Sequence, residues 1–230
     1  MRQPIGPEAL AARELLERRL EEFKDLRTAA EIRLRRGDRL QRLTGVLLLR
    51  APAALRLEAL SPLGTPALVI AVDDKSLTVW EVLDDRAYVL PATPEANRRW
   101  LGLSLGDDEL VALLSGRVVP LRDPLSAELL PDDGGGASLV LKGSDRTQRI
   151  WFDPANGQAK AVEWTGGSNP ARVVFPDIAP DSPPAGMTLT TSDGKLEVFA
   201  RYQNPRMNTG FDPDLVRVTV PERVRIQEFR

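Results

Sequence analysis

Two residue types are missing altogether: the 230-residue chain has no cysteine and no histidine. Without cysteine there is no disulfide and no thiol nucleophile; without histidine, His-based triads and the commonest zinc sites are excluded. Carboxylate and Ser-Lys chemistry remain open, but the 33 acidic residues are scattered along the chain. The lack of cysteine fits either redox environment and fixes no compartment. An excess of one charge is lacking too. Thirty-one basic residues against 33 acidic ones leave a net charge of −2, so no global field draws the chain to nucleic acid or an anionic membrane. No apolar run approaches the ~18 residues that would span a bilayer. No charged-then-apolar secretory signal opens the sequence, which fits a cytoplasmic protein or a sequence that begins after a removed signal.

What is present can fill a core. The chain is 42% hydrophobic and 28% charged, a composition that argues against wholesale disorder and for one large β domain or two small ones. The most informative stretch is 55–70, LRLEALSPLGTPALVI. Leu55, Leu57 and Ala59 alternate with Arg56 and Glu58, and Leu68, Ile70 and Val72 alternate again after the turn. Between them stands Ser61-Pro62-Leu63-Gly64, with Ser, Pro and Gly where a type I β-turn prefers them. This places Leu63 at the tip of a hairpin, where a polar residue is expected; single exposed leucines are also ordinary.

The rest of the chain reads in order. Residues 7–23 form an amphipathic helix carrying Ala12, Leu16, Leu20 and Phe23 on one face, with Pro7 in the first turn. From Leu26 the period becomes two, giving a half-buried strand with Ile32 and Leu34 inside and arginines outside. The Arg-rich run 33–42 is read as the solvated face of a hairpin turning at Gly37-Asp38 rather than as a phosphate-binding patch. The run Thr44–Leu49 is apolar throughout, so both of its faces should be covered, one of them by the first helix; Gly45 is expected to mark a bulge or bend. Further strands are expected at 76–83 and 86–90, across an Asp84-Asp85 turn. Two short helices follow, at 94–101 and 107–114, the second with three acids at its N-terminus and Gly116 just beyond its end. Trp100, Leu101, Leu103, Leu110, Leu113 and Leu114 make this pair apolar, either a plug for a curled sheet or a movable lid.

Strands are expected next at 137–142, 147–153, 158–165, 172–175, 187–191, 195–203 and 215–220, with a short charged tail after Pro221. Gly134-Gly135-Gly136 lacks the Lys-Ser/Thr of a phosphate loop. The Asp pairs 73-74, 84-85, 107-108 and 132-133 all sit at turns or a helix start and have local jobs there. The four tryptophans suit a core or a cavity wall better than a sugar platform. No catalytic motif emerges, and no cofactor is implied.

With these pieces in order, the run LTGVLLLRAPAALRLEALSPLGTPALVI, then hairpins, then PEANRRWLGLSLGDDELVALLSGR, resembles the LolB-type outer-membrane lipoprotein receptors within the broader LolA/LolB-like lipoprotein localisation family. The resemblance covers roughly residues 8–117. The end of the chain, with Val216, Val218 and Val220 before Pro221, looks more like the final strands of the wider family that includes the soluble carrier LolA. The implied fold is mainly β: a curled, half-open antiparallel β-barrel covered by short lid helices, with an N-terminal amphipathic helix. It would form one domain over 1–230, with a flexible start (1–6), a helix (7–23), antiparallel strands (24–93), lid helices (94–116) and further strands (137–220). The implied activity is not enzymatic. Acyl chains of lipoproteins would occupy an apolar cavity and be delivered to the outer membrane. Ser61, Pro62, Leu63 and Gly64 would be the membrane-insertion turn, and the implied partners are acylated lipoprotein clients, a LolA-like periplasmic carrier and the outer-membrane lipid surface, not nucleic acid. The native form would be lipid-anchored on the periplasmic face of the outer membrane, its signal and lipidated cysteine preceding Met1.

Alternation within the strands and helical spacing point to Leu55, Leu57, Leu68, Ile70, Leu110 and Leu113 as cavity lining; plain core serves equally for each one singly. Two other readings compete. An envelope lipoprotein acting as a structural or assembly scaffold would have the same fold with its interior filled by its own side chains. A lipid-active hydrolase would need paired carboxylates or a Ser-Lys pair inside the cavity.

Overall fold

The structure, a computed structural model, describes residues 4–73, 75–101, 104–132, 135–167 and 170–228. The chain opens with helix α1 (Pro7–Glu21) and continues into two long strands, β1 (Asp25–Arg36) and β2 (Arg39–Arg50). Then come β3 (Ala54–Leu60), β4 (Pro66–Val72), β5 (Ser76–Glu81) and β6 (Arg86–Pro91). Helices α2 (Pro94–Leu101) and α3 (Asp107–Leu114) interrupt the strands. The second half supplies β7 (Ser126–Leu130), β8 (Ala137–Lys142), β9 (Arg146–Phe152), β10 (Ala159–Gly166), β11 (Ala171–Val174), β12 (Gly186–Thr191) and β13 (Leu196–Met207). A 3₁₀ turn (Pro213–Val216) and a last strand, β14 (Arg225–Glu228), end the described chain.

All fourteen strands belong to one sheet, ordered β14-β6-β5-β4-β3-β2-β1-β13-β12-β11-β10-β9-β8-β7. Two meanders run outward from a central seam, where β1 pairs antiparallel with β13 from Leu26↔Met207 to Arg36↔Leu196. Within each meander neighbours in sequence are neighbours in the sheet, mostly through short turns, with the longer irregular stretch 175–185 joining β11 to β12. Among the described residues the outermost strands, β7 and β14, do not pair with each other. The result is a half-open β-barrel with helices on its concave side. One continuous apolar cluster, including Leu26, Leu49, Val72, Leu77, Leu139, Ile150 and Leu189, joins both meanders.

Pattern explains most of these elements. Along β1 the residues Leu26, Thr28 and Ala30 are buried and Arg27, Ala29, Arg33 and Arg35 are exposed, as a period of two across a half-buried sheet requires. Gly37, at φ +58, turns the chain into β2. In α1, Pro7 occupies the first turn and Ala9, Ala12 and Leu16 are buried.

Three expectations are corrected. First, α1 does not cover the apolar run of β2; it lies against β7 and β8, and the 3₁₀ turn Pro213–Val216 covers the convex face of β2 and β3. Leu48 and Val216 are both buried, and Arg56 on β3 donates from Nη1 to the Leu215 and Arg217 carbonyls at 3.1 and 2.8 Å. Second, Gly45 marks no bulge in the β1–β2 ladder, which runs regularly through Ala30↔Gly45, and its pair with Ala59 is the last of the β2–β3 ladder. It is glycine because a Cβ there would sit 1.9 Å from the Glu58 carbonyl oxygen. Third, 215–220 is not a strand. It is the end of the 3₁₀ turn and an irregular connection, while the charged tail forms β14, which pairs parallel with β6 from Arg225↔Arg86 to Glu228↔Val89.

Candidate functional site: an apolar cavity under helix α3

The concave face of β1–β5 and β12–β13 encloses a cavity of about 310 Å³ roofed by α3. Cross-strand register sets its wall in rows. Ile32 faces Leu43 and Leu34 faces Gln41 across β1 and β2; Leu57 faces Ile70 across β3 and β4; Ile70 in turn faces Val79 on β5. From the other side of the seam come Met187, Leu189 and Val198, and from α3 come Leu110, Leu113 and Leu114. Gln41 and Glu81 are the two polar side chains in this lining. Glu81 is paired with Arg86, its cross-strand neighbour on β6, at 3.2 Å. No pair of carboxylates and no Ser-Lys pair lines the cavity among the described residues. Its interior is open rather than filled by its own side chains.

One end is closed and the other is open. Along β1 the inward residues pass from buried (Leu26, Thr28, Ala30) to half-buried (Ile32, Leu34) and then to exposed Arg36. The mouth therefore lies at the β1–β2 hairpin end. Because strands alternate in direction, the β3–β4 and β5–β6 turns share that rim.

Helix α3 is fastened at both ends. At its start, Glu109 Oε2 accepts from the Gly106 amide at 2.9 Å. Asp107 accepts from Asn97 Nδ2 at 2.7 Å, and the same nitrogen donates to the Leu105 carbonyl at 2.9 Å. Burial raises the Asp107 carboxyl above its usual range, the Asn97 bond opposes this, and the nearby Asp108 and Asp73 charges add to the rise. Arg146 and Arg122 hold Glu109 and Asp108 at 2.9 and 2.6 Å. At its end, the Tyr202 hydroxyl donates to the Leu114 carbonyl at 2.8 Å, and burial raises the Tyr202 pKa. Arg117 donates to the Ser115 and Arg19 carbonyls at 2.8 and 2.9 Å. That guanidinium is buried and stacks over the Phe23 ring at 5.1 Å. Among the described residues it has no carboxylate in contact, and desolvation, then the Arg19 charge, lower its pKa to about 10. It stands instead at the negative ends of two helices, α1 and α3, whose carbonyl dipoles offset its charge. In this arrangement α3 is a fixed roof.

The structure places Leu55, Leu57, Leu68, Ile70, Leu110 and Leu113 along this wall. Ser61, Pro62, Leu63 and Gly64 form the β3–β4 turn: the Gly64 amide donates to the Ser61 carbonyl at 2.9 Å, and the Ser61 amide donates to the Thr65 carbonyl at 2.7 Å. Gly64 is at φ +80, a left-handed position that closes the hairpin. The Ser61 hydroxyl accepts from the Leu63 amide at 3.3 Å and pairs with Thr65 Oγ1 at 2.9 Å. Leu63 projects into solvent with 91% of its surface exposed.

Sequence reading missed two companions on the same rim: Leu40 and Leu83, 55% and 73% exposed, beside the turns at Gly37-Asp38 and Asp84-Asp85. The proximity of each to a hairpin turn was the available signal. It also missed Met187, Leu189 and Val198, which reach the cavity only through the long-range seam. Of the tryptophans, Trp164 lies in the core and Trp151 packs beneath Arg149 and Arg172 at 4.3 and 4.6 Å. Neither these nor Trp80 lines the cavity. The Trp100 and Leu101 side chains and Leu103 lie outside the described residues, as do Asp74, Asp133 and Gly134. Asp73 accepts from the Lys75 and Ser76 amides at 2.9 and 2.8 Å and Asp132 from the Gly136 amide at 2.9 Å, the local turn roles expected of them.

No family profile and no curated protein matches this sequence. Solved structures do match. A domain described as belonging to an outer membrane lipoprotein-sorting protein of Vibrio parahaemolyticus superposes with a TM-score of 0.62 at 13% identity, over 90% of this chain and 95% of that one. A LolA superfamily protein from Nitrosomonas europaea gives 0.59 at 14%, over 90% and 97%. A DUF1329 family protein from Desulfovibrio piger gives 0.63 at 10%, over 91% and 97%. The chain therefore shares the fold of LolA-superfamily and lipoprotein-sorting domains, and nothing in these likenesses singles out the LolB type.

Proposed function

We propose that the chain binds the acyl chains of lipoproteins in the cavity beneath α3 and passes them, without covalent chemistry, to the lipid surface of the outer membrane. The observation that carries this reading is the pairing of an apolar, open-mouthed cavity with an exposed Leu63 on the same rim. Moving a methylene out of water gains about 0.8 kcal/mol, so an acyl chain needs shelter while it crosses water. A hydrocarbon wall without directional partners provides shelter and still releases its cargo. In this reading Leu63, flanked by Leu40 and Leu83, touches the acceptor bilayer. One leucine contributes about 1.5–3 kcal/mol, enough to perturb a lipid surface and too little to anchor the protein. The clients are acylated proteins, the donor is a LolA-like carrier, and the place of work is the periplasmic face of the outer membrane.

The test is calorimetric titration with a triacylated peptide, using the same peptide without its chains as control. Calorimetry is preferred to tryptophan emission because Trp80, Trp151 and Trp164 do not line the cavity. Saturable, acyl-dependent heat is expected. A flat titration with folded protein would overturn the reading.

A further inference from the structure

We propose that Arg36 and Arg39 form a head-group clamp at the cavity mouth, so that the site takes amphiphiles with an anionic phosphate or carboxylate head as a ligand class of its own. This rests on the cavity being an acyl site. Its support is the row order on the inner face of the β1–β2 hairpin. Ile32↔Leu43 and Leu34↔Gln41 line the cavity, and the next inward-facing pair toward the tip is Arg36↔Arg39. Rows on one face of a strand are about 6.6 Å apart. A chain lying along the wall therefore brings its head to the two guanidinium groups.

The pair is also anomalous as structure. Like charges directly opposite each other across two strands destabilise a sheet, and neither arginine has an ion pair among the described residues. Their neighbours differ: Arg35 holds Glu197 at 2.6 Å and Arg33 stacks over Phe199. Both members of the couple are solvent-exposed, so their donors are open to a ligand. A planar guanidinium fork matches phosphate and carboxylate oxygens in pairs. The cavity of about 310 Å³ is of the size of one alkyl chain, and a dodecyl chain is the probe.

The experiment compares dodecyl phosphate, dodecyl maltoside and inorganic phosphate by calorimetry, below micelle-forming concentrations and at low salt. In the unaltered protein, dodecyl phosphate is expected to bind roughly tenfold tighter than dodecyl maltoside, a preference that shrinks as salt is added. Inorganic phosphate alone is expected to give no saturable heat in the same range. In the double variant Arg36→Gln/Arg39→Gln the affinity ratio of the two dodecyl ligands should fall to near one. The ratio is the readout, so a loss of fold, which removes both affinities, is not mistaken for a loss of the clamp. Equal affinities in the unaltered protein, or a preference that survives the double substitution, would overturn the clamp. Phosphate binding as tightly as dodecyl phosphate would also overturn it, by showing a surface anion site. If neither dodecyl ligand binds, the acyl cavity itself is lost, a different failure from that of the clamp.

Discussion

Leu63→Glu separates holding a lipid from delivering it. The side chain is 91% exposed, so the folded protein has little to lose; surface changes of this kind stay within about 0.5 kcal/mol. The turn is held by the Ser61 carbonyl, the Ser61 hydroxyl and Gly64, none of which is altered. Nor does Leu63 line the cavity, so binding of an acylated peptide should be unchanged. Contact with the bilayer should change most. Taking leucine out of lipid forfeits about 1.5–3 kcal/mol, and a carboxylate near the acyl boundary adds a penalty of its own, up to about 2.5–3.5 kcal/mol at full depth. With 1.4 kcal/mol per tenfold step, the first effect alone slows transfer by roughly ten- to a hundredfold. The assay loads the protein with a fluorescent triacylated peptide and follows its passage into phosphatidylethanolamine-rich vesicles, with calorimetry and thermal melting on the same sample. Unaltered transfer by Leu63→Glu would refute the role given to this turn, and Leu40 and Leu83 would have to carry the contact instead.

Three further outcomes follow from the packing. Gly45→Ala puts a carbon 1.9 Å from the Glu58 carbonyl oxygen, forcing β2 and β3 apart; a loss of about 3 kcal/mol, the upper end of the usual overpacking cost, is expected, read as a shifted urea midpoint, and an unchanged midpoint would contradict it. Arg117→Met fills similar space but leaves the Arg19 and Ser115 carbonyls without their donor. A loss of about 2–4 kcal/mol, or roughly 4–16 °C in melting temperature for a chain of this size, is expected; equal melting would mean that solvent replaces the guanidinium without penalty. For acid, the Thr191 hydroxyl, then the Lys195 amide, hold the Asp193 carboxyl down to about 2, below its ordinary 3.8. A depressed carboxylate stabilises the fold fully above its unfolded value and loses that contribution as pH falls through 3.8 toward 2. The protection factor of the Lys195 amide, with the intrinsic pH dependence of exchange divided out, should therefore fall over that interval, and in Asp193→Asn it should stay constant.

The legible parts of this chain are those in which one face is oily and the turn chemistry is local. Strands β1 and β3 alternate, β4 is apolar on both faces, and Ser61-Pro62-Leu63-Gly64 and Gly37-Asp38 name the turns. Helices α2 and α3 could be placed from Pro94, from the three acids of 107–109 and from Gly116. Illegible were elements whose partners decide them. β7 is flanked by Pro124 and Pro131 and has no fully buried residue, so nothing distinguishes it from a loop until β8 offers an edge. β14 is charged and pairs only because the chain end reaches β6. The valines at 216, 218 and 220 imitate a strand, yet that segment crosses a convex face that supplies no ladder there. Half of the cavity wall was readable because β1–β5 are joined by hairpins whose register follows from the turns. The other half depends on β1↔β13, and no local pattern reveals a pairing between residues 26–36 and 196–207.

The strand order also constrains how the molecule can be made. β1 emerges early in synthesis, and its partner β13 is the last long strand to appear. β6, outermost in its meander, is capped only by β14, and Leu48 waits for the Pro213–Val216 turn to cover it. Until β13 and β14 arrive, β1–β6 form a six-stranded ribbon with both edges unpaired, and exposed edges are where chains stick to one another. Completing the sheet therefore waits for β13 and β14. A chain cut short before residue 196 should lack a stable half-barrel, and a chain held unfolded until it is whole escapes the hazard.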